Sequence, residues 1–125
     1  MKTTATIARI LLGLIFFVFG LNGFLHFIPM KPPAGTAGQF MGILFVSHYY
    51  VTVFLLQAVA GLLLLVNRFV PIALVLLGPL LVNIVLFHAH MAPEGLPVAA
   101  VALVLWIIVF ASVRRAFSGV FVARA

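Results

Sequence analysis

The chain alternates long apolar stretches with short polar breaks. Residues 7–28, 49–67, 69–90 and 96–113 are four such stretches, each near the length of about 20 apolar residues that an α-helix needs to cross a bilayer. "ARILLGLIFFVFGL" and "AVALVLWIIVFA" are apolar on every side. That pattern belongs to helices immersed in hydrocarbon, because barrel strands alternate apolar and polar residues. Pro29 and the following "MKPPAG" close the first stretch, and "NR" closes the second. Pro71 and Pro97 stand near the starts of the third and fourth, where the missing N–H leaves no bond unmade. Residues 38–47 are apolar but too short to span. They predict a short helix lying at the interface, after which "SHYY" turns the chain inwards and Tyr49 and Tyr50 sit at headgroup level. The pattern predicts an all-α membrane protein, a four-transmembrane-helix bundle forming a single domain over residues 1–125.

Composition agrees: the 125 residues are 66% hydrophobic and 6% charged, whereas a soluble domain is about one quarter charged. The expected solvent is the lipid bilayer. A formal charge of +6 invites a nucleic-acid reading, but Lys2, Arg9, Lys31, Arg68, Arg114, Arg115 and Arg124 are scattered between apolar runs rather than gathered in one basic patch, so no nucleic-acid partner is expected. They fit a topology signal. With the N-terminus inside, all but Lys31 are cytoplasmic, and only Lys31 and the sole acid, Glu94, lie outside. This positive-inside bias predicts an N-in/C-in chain. The first run is long and ends in "GLNGFLHFIP" without a small-x-small site, so it is expected to remain as a span rather than be removed as a signal peptide.

The absence of cysteine removes disulfide relays, thiolate metal sites and covalent haem attachment through C-x-x-C-H. Glu94 falls in the loop "APEGLP", so no buried carboxylate is offered as a proton carrier.

The polar side chains within the apolar runs are arranged by depth. At 1.5 Å per residue, Asn22 lies roughly 20 Å above Arg9, Asn83 roughly 22 Å above Arg68 and Gln57 roughly 16 Å above it. His26 and His88 reach the outer boundary, with His90 beyond them and His48 in the same layer. Three amides from three helices thus lie just beneath four histidines on one side of the membrane. Asn22 and His26 are four apart and share a helix face, as do Asn83 and His90 at seven apart, whereas His88 points away from Asn83. Amides in hydrocarbon need partners, so Asn22, Gln57 and Asn83 are expected to face protein. They either bond one another across helices or line a site. Each histidine, taken alone, reads first as an interfacial residue with one wet edge. Pro79, next to Gly78, predicts a kink one turn before Asn83, read first as a curve for packing. Gly13, Gly20, Gly23 and Gly61 are expected to permit close helix approach, and Trp106 to pack in the core or against lipid.

Together "LLGLIFFVFGLNGFLHFIP", a proline-rich outer loop, "QAVAGLLLLVNRFVPIALVLLGPLLVNIVLFH" and "PEGLP" resemble the DoxX-like family of small bacterial four-helix membrane proteins, over roughly residues 7–115. Such proteins are similar to the small subunit of an archaeal thiosulfate:quinone oxidoreductase, and others are linked to membrane redox complexes and oxidative-stress responses. The resemblance implies a multi-pass protein of the bacterial inner membrane. Asn22, Asn83 and His88 fall in its motifs. An acid would be acceptable in relatives at the position of Gln57, so the glutamine here counts against a proton role at that position, and His48 and His90 lie outside the motifs. The leading expectation is a redox-associated protein whose outer-leaflet pocket, made by Asn22, His26, Gln57, Asn83 and His88, accepts a quinone-like or other small amphipathic ligand. A histidine there would pass a proton to the outer water on quinol oxidation. The alternative is a non-catalytic accessory subunit or assembly factor whose amides serve packing, with a membrane redox subunit or a second copy as partner. Haem held by two histidines is disfavoured, and no spacing calls for a metal.

Overall fold

The computed structural model describes residues 2–28 and 33–125. The expectations placed on Pro29 and Lys31 lie outside the described residues. Those residues form five α-helices and no strand: α1 (Lys2–Leu25), α2 (Gly35–Val46), α3 (Tyr50–Leu65), α4 (Val70–Met91) and α5 (Leu96–Ser112). Short 3-10 segments at Pro93–Gly95 and Arg114–Phe121 flank α5.

By length and composition, α1, α4 and the stretch Pro93–Ser112 can each cross a membrane. α3, with 16 residues, becomes a further candidate only together with α2, from which it is bent by 91°. A short helix and a sharp turn therefore stand where "GQFMGILFVS" and "SHYY" predict them. The chain is an all-helical protein with three to four candidate membrane-crossing elements.

The packing follows from side-chain size. α1 and α4 each pack against both α3 and α5, so the four long helices close into a ring. α1 and α3 run antiparallel in backbone contact. A Cβ on Gly61 would stand 2.3 Å from the Phe17 nitrogen, and one on Gly20 would stand 2.5 Å from the Ala58 nitrogen. No side chain larger than hydrogen fits either place. The core holds Leu12 and Phe16 of α1, Ala60 and Leu64 of α3, Leu74, Leu77 and Leu81 of α4, and Ala102 and Val109 of α5. Phe117, from the tail, closes its end and lies 4.9 Å from the Phe110 ring. Across the α4–α5 contact the Trp106 indole N–H donates to the Leu74 carbonyl at 3.1 Å. This bond braces the two helices one turn before Pro79, so Trp106 does more than fill space.

Helix ends are set by residues that accept the left-handed conformation. His26, His48 and Asn67 follow α1, α2 and α3 with φ of 51°, 63° and 55°, the usual way for a helix to stop without glycine. α1 consequently ends at Leu25, three residues before the apolar run does. The same C-terminal end of α3 is also capped from α1: the Arg9 guanidinium donates to the carbonyls of Leu64 and Leu65.

Candidate functional site

The end of the ring opposite the chain termini carries the loop after α1, helix α2, and the turn between α4 and α5. All five candidate residues lie in its direction, but the structure does not gather them into one group.

Asn22 is buried, at 7% exposure. Its Oδ1 accepts the Ile28 N–H at 2.8 Å, while its own carbonyl accepts the His26 N–H at 3.0 Å. It thus folds the chain back after α1, anchoring a turn from within the bundle. Gln57 is equally buried and lies within a turn of the same level, since Ala58 meets Gly20 and Phe54 meets Gly23. These two amides share a depth, on adjacent helices.

Asn83 does not join them. It was expected to face protein, yet it is exposed, with its Nδ2 donating to the Pro79 carbonyl 2.9 Å away on its own helix. The depth inferred from residue counting is unaffected; the side of the helix is what differs. α4 is apolar around its whole circumference, so the sequence marks no face for packing.

His88 is half-buried, with Nδ1 2.8 Å from the Ile84 carbonyl. A carbonyl only accepts, so Nδ1 is the donor in this contact. The ring rests on Gly95, where a Cβ would stand 2.2 Å from Cδ2 and 2.6 Å from Nε2. The two motifs "VNIVLFH" and "PEGLP" therefore meet through one imidazole and one glycine.

His26 and His48 are exposed and border an aromatic cluster that residue-by-residue reading missed. Phe45 stacks on Tyr50 with centroids 4.6 Å apart, Phe24 and Phe54 lie 6.0 and 6.5 Å from Tyr50, His48 lies 6.3 Å from it, and His26 lies 6.2 Å from Phe45. The signal available was the aromatic content of "FVSHYYVTVF". α2 then reaches α4, where Phe40 meets Phe87 at 5.3 Å. His90 is exposed near the end of α4.

Both His26 and His48 hold positive φ, a region in which His, like Asn, is over-represented. Their backbone role alone explains them. His48→Gly is expected to leave stability unchanged or to raise it by up to about 1 kcal/mol, because glycine meets no steric penalty there. Thermal unfolding in detergent checks this; a clear loss of stability would instead mean that the ring itself matters.

Two surface concavities, on the faces of α2 (Gln39, Gly42, Ile43, Val46, Ser47) and α5 (Ala100, Val101, Val104, Leu105), are shallow and open. Neither includes a candidate residue. Among the described residues no three of His, Asp and Glu come together as a metal-binding group.

The architecture defines a class: a small apolar helical bundle of the membrane type, with Asn22 and the histidines towards its loop-bearing end and the arginines at the other. Compared with family models, curated proteins and solved structures, the chain matches none.

Proposed function

We propose that this is a multi-pass protein of the bacterial inner membrane, of the DoxX-like kind. It crosses the bilayer four times, with both ends in the cytoplasm, and serves as a non-catalytic component of a membrane redox assembly. The apolar α2–α3 pair supplies the remaining crossing. Lys2, Arg9, Arg68, Arg114 and Arg115 cluster at the end that carries the termini, and Glu94 is at the other, which supports the orientation. The redox context rests on the motif resemblance.

The observation that favours a structural role is where the polar groups are used. Asn22 ties its own turn, Asn83 its own helix and His88 its own helix. Native mass spectrometry of the chain extracted from its membrane in mild detergent tests the proposal. Another polypeptide retained without quinone is expected; quinone retained without another polypeptide would overturn it.

A second reading, a quinone-like ligand in the outer leaflet, is favoured by Gln57. The residue is 7% exposed, and its amide, whose atoms still reach the surface, makes no hydrogen bond among the described residues. Such a group suits a ligand carbonyl in an apolar slot. On this reading ubiquinone-type binding in nanodiscs weakens at least tenfold in Gln57→Leu, as expected for a ligand carbonyl left in an apolar slot without its donor. Equal affinity in both proteins, or no binding, refutes it.

A further inference from the structure

The side of α4 that faces away from the bundle carries one polar group where every neighbour is apolar. Asn83 lies 13 residues after Val70 and 8 before Met91, roughly 4 Å from the middle of the helix. In the central thirds of α1, α3 and α5 every exposed residue is Ile, Leu or Val. Asn83 alone turns an amide outwards at that depth.

Its hydrogen bonding is half complete. One Nδ2–H goes to the Pro79 carbonyl at 2.9 Å. A primary amide has a second N–H and an oxygen with two lone pairs, and these find no partner among the described residues. If α4 crosses the bilayer, as proposed above, this donor and this acceptor stand side by side in hydrocarbon. There an unmet polar group is strongly unfavourable, and lipid tails offer nothing to it.

We propose that the outer face of α4 is the interface of a two-fold symmetric homodimer, in which the Asn83 amides of the two copies bond each other. The chemistry selects a second copy over an unrelated helix. Two copies inserted in one membrane share an orientation, so their symmetry axis lies along the bilayer normal and each residue meets its counterpart at equal depth. An amide is self-complementary: the Oδ1 of one accepts the free Nδ2–H of the other, and the reverse. The flanking residues fit such a seam. Ile72, Leu76, Pro79, Asn83 and Leu86 follow one another at spacings that alternate four and three, the repeat of left-handed helix pairs, and all but half-buried Leu76 are exposed.

The chain has no cysteine, so single cysteines report cleanly. In membranes of cells producing the full chain, Ile72→Cys and Leu86→Cys are expected to form disulfide dimers under mild oxidation. Val104→Cys, equally exposed on α5, is expected to give none. Adding Asn83→Leu to Leu86→Cys should lower the dimer association constant about tenfold or more at a fixed protein-to-lipid ratio, whereas Asn83→Gln should retain most of it. Leucine on a lipid-facing surface leaves the fold intact, so this loss reports association.

Absence of dimer at both α4 positions, equal dimer at Val104→Cys, no effect of Asn83→Leu, or a cross-linked product with the mass of another polypeptide would each overturn the homodimer. An alkaline carbonate wash separates the two readings. A chain that stays in the membrane but does not cross-link refutes only the dimer, while a chain that washes off refutes the membrane crossing on which the dimer rests.

Discussion

Gly61→Val is expected to be the most destabilising single change outside the leucine core, by about 3 kcal/mol or more. Overpacking a well-filled interface costs about 1–3 kcal/mol when side chains can move aside. At Gly61 they cannot, because the atoms in the way are backbone: the Phe17 nitrogen at 2.3 Å, the Gly13 oxygen at 2.8 Å and the Phe17 Cα at 2.8 Å. The new methyl groups would therefore separate α1 from α3 along their whole contact, loosening Gly20 on Ala58 and Gly23 on Phe54 as well. Unfolding in mixed detergent–SDS micelles measures the loss. Gly42→Ala is the control. Nothing lies within 4 Å of that site, so the substitution should be neutral or gain up to about 1 kcal/mol from helix propensity. Equal behaviour of the two variants would mean that α1 and α3 are not in backbone contact.

Arg9→Leu is expected to cost about 2 kcal/mol. The last carbonyls of a helix have no partner within it, and they form the negative end of its dipole. Arg9 answers both needs by donating to Leu64 and Leu65, and a hydrogen bond from a charged donor contributes about 1.5–3 kcal/mol. Arg9→Glu should be worse than Arg9→Leu, since it brings a negative charge to the same carbonyls. The ranking arginine, leucine, glutamate in the same unfolding assay checks the mechanism. Leucine equalling arginine would mean that the guanidinium contributes only to membrane orientation.

Element positions were legible because lipid-like solvent imposes length. The runs at 69–90 and 96–113 correspond to Val70–Met91 and Leu96–Ser112, with Pro71 and Pro97 near their starts. α1 begins earlier than its run, at Lys2, since Thr3, Thr4 and Thr6 are polar yet do not interrupt a helix. It ends earlier because His26 leaves the helix and Asn22 ties the turn, a bond between residues six apart that no periodicity announces.

The site was legible in one coordinate only. Counting residues gives depth along a helix, so Asn22 and Gln57 fall at neighbouring levels as expected. Direction around the helix comes from contrast between polar and apolar faces, and α4 has almost none. Asn83 could thus be placed at its height but not on its side. Arg9 carried a usable signal, a lone cation inside an apolar run, but topology accounted for it before any contact was needed.

The bend between α2 and α3 has a consequence for the surrounding lipid. α3 has 16 residues and is about 24 Å long at the helical rise, whereas the hydrocarbon core of a bilayer is about 30 Å thick. If α3 crosses the bilayer as proposed, the acyl chains beside it must shorten to match it, while those beside the 22 residues of α4 need not. The protein then carries a thin flank and a full-thickness flank, and hydrophobic mismatch favours placing the thin one against thinner bilayer or against another short helix.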